Sequence, residues 1–538
     1  MFITSYAPFG ADGIIIRVEA DIRRGIPGAD ITGLAQAAVK ESRERARAAF
    51  RNSGFEFPKD RVLINLAPAG VRKDGASLDL PIALAVMAAA GLIPPPDDLM
   101  ALGELELSGS LRPVRGALAA IAGGLEAGIQ GFIVPVENAA EARILAKGKT
   151  AAASTLKEAA EAVACFAQNG FFPDVPNGLN AQAGAAQADS ALSASPASGA
   201  GDFADVRGQG RYKRALEIAA AGGHNLLAFG PPGAGKTMLA RRLPSIMPPL
   251  LPGEAVEVTR LHSLAGLLRF GAGQEGLITA PPFRSPHHSA SAEGILGGGK
   301  TVRPGEISLA HFGALFLDEA PEFRGNVLQA LREPLEDRVI SISRAEGSVR
   351  LPADFQLILT ANPCPCGKLG MTGRALGDSR DSGAMCFCSP EEIHRYWRKF
   401  GGALLDRVEL RVMVKQSDTP LTGSNAEEPS SAVAKRVLRA VEIQRNRFQS
   451  ADGGVAIRRN AEMTPPFIEG RCAVSGEAER ALNAAEQKLS FSGRAVHGVL
   501  RVARTIADLE GCDAIKSVHV LEAIQHRRLG DDPYDVMT

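Results

Sequence analysis

Residues 230–237 read Gly-Pro-Pro-Gly-Ala-Gly-Lys-Thr, and directly before them stands the apolar run Asn225-Leu226-Leu227-Ala228-Phe229. An apolar strand that enters a glycine loop and leaves through lysine and a hydroxyl residue has the order of a phosphate-binding loop. That order commits the region to a strand–loop–helix unit in a parallel sheet. Gly233 and Gly235 keep side chains out of the way, so that backbone N–H groups can turn inward around phosphate oxygens. Lys236 offers its charge to the β- and γ-phosphates and Thr237 its hydroxyl to Mg2+, with Gly230, Pro231, Pro232 and Ala234 completing the cradle. The helix that follows is expected to aim its positive end at the anion. The expected ligands are ATP and Mg2+.

Ala314-Leu315-Phe316-Leu317-Asp318-Glu319 is an apolar run ending in two carboxylates. A buried strand of this kind delivers its acids to the sheet edge beside the phosphate loop. Asp318 would then hold Mg2+, and Glu319 would orient and polarise the attacking water. An acid pair at a helix N-terminus is the plainer reading. The phosphate loop upstream in the same region favours the catalytic one.

A chain of 538 residues exceeds what one core supports, and about three domains are expected. The sequence predicts a multidomain α/β protein. Residues 1–168 alternate strand-like runs (14–18, 61–65, 132–134) with helical ones (37–50, 79–90, 117–127), as a compact α/β domain does. Residues 169–204 are rich in Ala, Ser and Gly and read as a flexible tether. Residues 205–415 form the nucleotide-binding unit, with strands at 226–229, 314–317 and 356–360. Residues 432–538 are helical by periodicity. Lys plus Arg and Asp plus Glu are balanced at 60 each, so any nucleic-acid site must be a local patch. No basic segment followed by an apolar core opens the chain, and the apolar stretch 80–96 is broken by prolines. No signal peptide or membrane span is therefore expected. Seven cysteines, four of them clustered, suit a reducing, cytoplasmic setting.

The phosphate loop, Leu317-Asp318-Glu319, Leu359-Thr360-Ala361-Asn362-Pro363 and Leu404-Leu405-Asp406-Arg407 together resemble the AAA+ ATPases, and within them the magnesium-chelatase-like branch. The resemblance implies that Asn362 is sensor 1, hydrogen-bonding the γ-phosphate or the attacking water. It implies that Arg407 is an arginine finger reaching into a neighbour's nucleotide. Arg494, in Phe491-Ser492-Gly493-Arg494-Ala495, looks like sensor 2, and residues 432–538 like the helical lid. A finger working in trans implies a ring, a homo-hexamer. The plain alternatives are a loop former before Pro363 and two surface charges.

Two further segments carry cations. Pro282-Phe283-Arg284-Ser285-Pro286-His287-His288-Ser289 leads on to Lys300 and Arg303, and a hairpin at 339–350 carries Arg344 and Arg350. Arg284, His287, His288, Lys300, Arg303, Arg344 and Arg350 could meet DNA phosphates without reading sequence. For His287 and His288 a shared metal is the other reading, with no third ligand in view. A surface hairpin with solvated arginines is the plain reading of the second segment. His394-Arg395-Tyr396-Trp397-Arg398-Lys399 is either a strand-binding surface or a helix with a wet and a dry face.

Cys364-Pro365-Cys366-Gly367 and Cys386-Phe387-Cys388 make two tight knuckles. Four thiolates suit a tetrahedral structural Zn2+; a redox pair is the alternative.

Ala69-Gly70-Val71-Arg72-Lys73-Asp74-Gly75-Ala76-Ser77 resembles the Lon protease domain around its serine. The stretch matching that family's lysine, Arg112-Pro113-Val114-Arg115-Gly116-Ala117-Leu118-Ala119-Ala120, holds none. Arginine does not deprotonate to replace it. The fold is expected without peptidase activity, and Ser77 is expected to cap a helix.

Over nearly the whole chain the order of domains resembles the YifB/ComM group of magnesium-chelatase-like proteins. That resemblance implies an ATP-driven hexameric DNA motor promoting branch migration during natural transformation. The rivals are a chelatase-type ATPase subunit driving metal insertion, an ATP-dependent protease or remodelling factor, and a non-enzymatic scaffold.

Overall fold

A glycine loop between an apolar strand and a helix demands a parallel sheet, and the structure supplies one at the centre of the chain. The computed structural model describes residues 1–11, 13–33, 37–69, 76–172, 201–268, 276–299, 302–344, 347–369, 386–415, 427–449, 457–489 and 491–527. The central sheet runs in the order Phe283–Arg284, Ala314–Leu317, Gln356–Ala361, Leu226–Phe229, Leu410–Met413, with every neighbouring pair parallel. The phosphate-loop strand lies between two others, with Leu226 opposite Ile358 on one side and Leu410 on the other. Its residues, like those of Ala314–Leu317 and Gln356–Ala361, are buried throughout, which is why these strands read as unbroken apolar runs.

The N-terminal domain is a seven-stranded mixed sheet in the order Gly28–Thr32, Arg61–Ala67, Ile14–Arg23, Phe2–Ala7, Leu99–Ala101, Gly131–Pro135, Thr150–Ala153. Helix Asp79–Ala89 is apolar on every side and is buried from Asp79 through Ala88. Its one charge, Asp79, is fully buried yet well partnered. It accepts from Arg45 Nε at 2.7 Å, Arg45 Nη2 at 3.0 Å and the Leu105 N–H at 3.2 Å, and also from the Ser42 hydroxyl. Residues 70–75 of the Lon-like stretch lie outside the described residues. Ser77 does not cap the helix: the N-cap is Leu78, without a side-chain bond, and the Ser77 carbonyl accepts from Gly103 N–H at 3.2 Å.

The two domains meet along helices Ala117–Glu126 and Pro252–Ala265. Gly116 N–H donates to the Ser263 carbonyl at 3.2 Å, and a Cβ on Gly116 would stand 2.9 Å from Leu264. Glu141 accepts from Leu118 N–H at 2.9 Å and from the Ser263 hydroxyl. The stretch that matches the Lon lysine region is thus built into a domain interface. A second contact packs Ala11 with Leu261, Val349 and Leu351, so the hairpin Val339–Arg344/Gly347–Pro352 rests its base on the N-terminal domain.

The expected tether is trimmed at both ends. Helix Leu156–Asn169 reaches residue 169, and Phe172 is buried against Phe166 at 5.1 Å between ring centroids. At the other end Asp202 caps the turn Phe203–Asp205, and Phe203 is 1% exposed inside the core shared by the central sheet and the C-terminal helices. Burial of two phenylalanines anchors what composition alone reads as coil. Residues 173–200 are outside the described set.

The C-terminal region is helical as expected: Ser430–Gln449, Pro465–Arg471, Gly476–Leu489, Gly493–Leu509 and Ser517–Arg527. No helix among the described residues is long and apolar enough to cross a membrane.

Candidate active site

The phosphate loop leaves its strand at Gly230, where a Cβ would stand 2.0 Å from the Val414 carbonyl oxygen. Only glycine fits there. Gly233 and Gly235 have φ of +76° and +87°, and no atom lies within 4 Å of where a Cβ would point. Their requirement is therefore backbone conformation together with an open approach for a ligand. Helix Lys236–Ala240 is only five residues long and gives way to the turn Leu243–Ser245 around Pro244. A helix this short contributes little dipole, so the loop N–H groups must supply most of the anion binding.

Lys236 is 8% exposed. Its ammonium donates to the carbonyls of Gly230 at 2.6 Å and Pro231 at 2.8 Å, and to Asn362 Oδ1 at 3.2 Å. Burial lowers its pKa to about 8, against the pull of Asp318 and Glu319. Thr237 Oγ1 donates to Asp318 Oδ1 at 2.9 Å. Lys236, Thr237, Asp318 and Asn362 therefore converge at the carboxyl edge of the sheet, and Glu319 follows Asp318 directly. Glu319 is exposed, with the left-handed φ of +50°, which turns the chain sharply off the strand.

Three participants escape sequence reading. Thr360, in the middle strand, donates to Asp318 Oδ1 at 2.5 Å and accepts from Glu319 N–H at 3.0 Å, fixing both acids. Gln209 donates to the carbonyls of Ala234 at 3.1 Å and Lys415 at 2.6 Å. Tyr212 donates to the Lys236 carbonyl at 3.3 Å. A threonine inside a strand looks like ordinary β-branched filler, and the other two lie more than twenty residues ahead of the groups they hold. An ion such as Mg2+ suits this donor set, a hydroxyl beside a carboxylate oxygen. When bound it would polarise a phosphoryl group, and Asp318 and Thr237 are the residues that would hold it.

Arg407 and Arg494 lie elsewhere. The Arg407 carbonyl accepts from Asn225 Nδ2 at 2.8 Å, and Asn225 precedes the strand that ends at the phosphate loop. At roughly 3.3 Å per residue, ~16 Å of strand separates Asn225 from Gly230. Arg494 joins Arg407 there: both guanidinium groups reach Glu336, Arg494 Nη2 at 3.2 Å. The helix carrying Arg494, Gly493–Leu509, is tied to the same edge by buried polar contacts. Arg501 lies 3.4 Å from Glu409, and His224 bridges Glu409 and Thr505 at 2.7 Å each. A cleft of about 660 Å³ opens on this amino edge, lined among others by Asn225, Glu336, Arg407, Arg494 and Arg501. Neither arginine can reach this chain's own phosphate loop. In this chain both pair with Glu336; the Arg407 guanidinium also donates to the Ala403 carbonyl at 2.6 Å, and Arg494 is the more exposed of the two.

The chain belongs to the magnesium-chelatase-like AAA+ ATPase family. Residues 202–421 match the family described as magnesium chelatase, subunit ChlI; residues 18–138 match subunit ChlI of Mg-chelatase, and residues 427–527 the ChlI C-terminal region. The chain is 39% identical to the YifB protein of Salmonella typhimurium, covering 97% of this chain and 96% of the relative. It is 37% identical to the competence protein ComM of Haemophilus influenzae, covering 98% and 97%. A Lon protease from Trichlorobacter lovleyi is 28% identical over 133 residues, 23% of this chain and 16% of that protein. In this magnesium-chelatase-like chain Arg112 pairs with Glu106 at 2.5 Å, and Arg115 packs over Gly266 in the interface.

The cationic segments divide. Arg284 makes a two-pronged ion pair with Glu306, at 2.6 and 2.8 Å, and pins the insert's base to the sheet edge instead of facing outward. His287 and His288 are exposed, their rings tilted against each other at 4.1 Å between centroids, with His288 edge-on to Phe323. Arg303 and Arg350 are exposed. Lys300 lies outside the described residues, as does the side chain of Arg344. The aromatic run at 394–399 belongs largely to helix Pro390–Trp397, with Ile393, Tyr396 and Trp397 on its dry face, so it is core and not a strand-binding surface.

Cys364, Cys366, Cys386 and Cys388 place their sulfurs within 4.8 Å of one another. Three of the separations are 3.3, 3.5 and 3.6 Å. Four sulfurs at ~2.3 Å from a tetrahedral zinc stand about 3.8 Å apart, so the set fits that ion. Burial pushes the Cys364 thiol up, so its thiolate needs a cation beside it.

Proposed function

We propose that this protein is an ATP-hydrolysing motor that assembles as a homo-hexameric ring and moves branched DNA. The carrying observation is placement: Lys236, Thr237, Asp318 and Asn362 meet at one edge of the sheet, and Arg407 and Arg494 lie at the other. Lys236, Thr237, Asp318, Glu319 and Asn362 serve the nucleotide bound to their own subunit, with the loop from Gly230 to Gly235 holding its phosphates. Arg407 and Arg494 serve the nucleotide of the next subunit. Mg2+ supplies charge neutralisation when bound. Glu319 orients the attacking water, Asn362 holds it or the γ-phosphate, and the arriving arginines stabilise charge that develops on the transferred group. A head-to-tail interface that repeats must close or run on as a filament, and the closed ring is the form proposed.

The DNA reading draws on the likeness to the competence protein ComM, on the exposed imidazoles of His287 and His288, and on the exposed cations Arg303 and Arg350. Contacts of this kind engage phosphates and leave base sequence unread. Branch migration during recombination of incoming DNA is the activity proposed, in the cytoplasm. Purified protein mixed with ATP and a four-way DNA junction tests it. DNA-stimulated hydrolysis with strand exchange is expected; hydrolysis indifferent to DNA, with no strand movement, contradicts it.

A further inference from the structure

The four cysteines are not a remote structural staple. Cys364 is two residues past Asn362, whose Oδ1 lies 3.2 Å from Lys236 Nζ. The knuckle turns at Gly367, which is buried with φ of +76° and donates its N–H to the Cys364 carbonyl at 2.9 Å. A Cβ at Gly367 would stand 3.0 Å from Pro232 Cδ and 3.9 Å from Asn362 Cγ. The turn that carries the cysteines therefore lies against the phosphate loop itself. The second knuckle closes the circuit. Immediately after Cys388, Ser389 caps helix Pro390–Trp397 by accepting from Glu392 N–H at 3.2 Å. At the far end of that helix Trp397 Nε1 donates to the Pro363 carbonyl at 3.1 Å, and its ring meets Phe229, the last residue of the phosphate-loop strand, edge-on at 5.7 Å.

We propose that the four-cysteine centre is a positioning element of the nucleotide site: the zinc ion that joins its knuckles holds Gly367 against Pro232 and Asn362 against Lys236, so nucleotide affinity depends on zinc occupancy. The physical reason is the pairing of a tight centre with a loose one. A tetrahedral thiolate site fixes four chain points at bond-length precision, whereas a glycine loop keeps its shape only through what packs on it. Without the ion, Cys364 and Cys366 are no longer tied to the knuckle at 386–388. The Gly367 turn can then withdraw from Pro232, and the acceptor that orients Lys236 moves with it. Gly367 and Pro232 are positioning residues, and neither needs to touch the reacting phosphate. The inference rests on the reading of residues 230–237 as a nucleotide site.

The test uses the full-length protein and the binding of a fluorescent ATP analogue. Zinc is removed with a chelator, the chelator is washed out, and Mg2+ is restored. Zinc content is measured alongside, and circular dichroism reports the fold. Affinity is expected to fall by roughly tenfold, about the loss of one charge-assisted hydrogen bond, and to return when Zn2+ is added back. Unchanged affinity in folded, zinc-free protein overturns the proposal. Should zinc-free protein unfold, Gly367→Ala decides. All four ligands remain, so zinc content is expected to stay at one ion per chain while affinity falls several-fold from the clash with Pro232; full zinc with full affinity overturns the proposal. If the untreated, zinc-loaded protein binds no nucleotide, the nucleotide reading itself has failed and this inference falls with it.

Discussion

Thr360 Oγ1 donates a 2.5 Å hydrogen bond to Asp318 Oδ1, so a hydroxyl on one strand sets the acid at the end of the next. The same oxygen accepts from Glu319 N–H, which makes Thr360 the hinge point of the acid pair. Thr360→Val keeps the β-branched shape and removes both bonds. ATP turnover is expected to fall by about 10- to 100-fold, the scale of an orphaned buried polar group, while nucleotide binding changes little. Steady-state hydrolysis and a binding titration on the same preparation check it.

The buried Lys236 gives nucleotide binding a pH dependence. Its folded pKa is lowered to about 8, so the free protein loses this charge as pH rises through that value. A bound triphosphate restores the preference for the ammonium form. Binding above pH ~8 must therefore take up a proton, and affinity should fall by up to roughly tenfold per pH unit there while staying flat below. Calorimetry in two buffers of different ionisation enthalpy would register the uptake. A pH-independent affinity would show that Lys236 keeps its charge.

In the N-terminal domain, Asp79→Ala removes the buried carboxylate that Arg45 and the Leu105 N–H share, while Arg45 keeps Glu41 at 3.7 Å. A cost of about 3–5 kcal/mol is expected, the scale for breaking a buried charge pair from one side. Chemical denaturation of the full chain reads it. Ser77→Ala, by contrast, removes no side-chain hydrogen bond among the described residues and should leave stability and ATP hydrolysis unchanged, with no peptidase activity in either form.

DNA affinity should separate the cations. Arg350→Ala is expected to weaken binding for all sequences alike and to lower the slope of log affinity against log salt by about one. Arg284→Ala breaks the pair with Glu306 and should loosen the insert while leaving that slope in place. Fluorescence anisotropy across a salt series distinguishes the two.

Much of this site was legible because its chemistry is contiguous. The phosphate loop, Asp318-Glu319 and Asn362 each sit where an apolar strand ends, and strand ends in a parallel sheet share one edge. The strands at 226–229 and 314–317 come out at the expected bounds for the same reason. What stayed hidden depends on contacts between distant residues. Arg284 reads as an open cation until Glu306 is folded against it. Glu336, in a short surface helix, carries no motif, yet it gathers Arg407 and Arg494. Gly367 reads only as the residue after the first cysteine pair, and the fold brings it onto Pro232. The tether's ends differ from expectation for a related reason: Phe172 and Phe203 look like isolated aromatics in coil-like sequence, and each finds a core.

The separation of Arg407 from Lys236 by the length of the sheet makes one measurement decisive. Arg407→Ala subunits keep an intact phosphate loop but bring no finger; Lys236→Ala subunits bring a finger but cannot hold their own nucleotide. Each variant alone is expected to lose about 10³-fold or more in ATP turnover. Mixed together they should regain hydrolysis, because an Arg407→Ala subunit is then served by the arginine of a Lys236→Ala neighbour. A mixture as inactive as its components, in assemblies shown to contain both, would contradict the shared site.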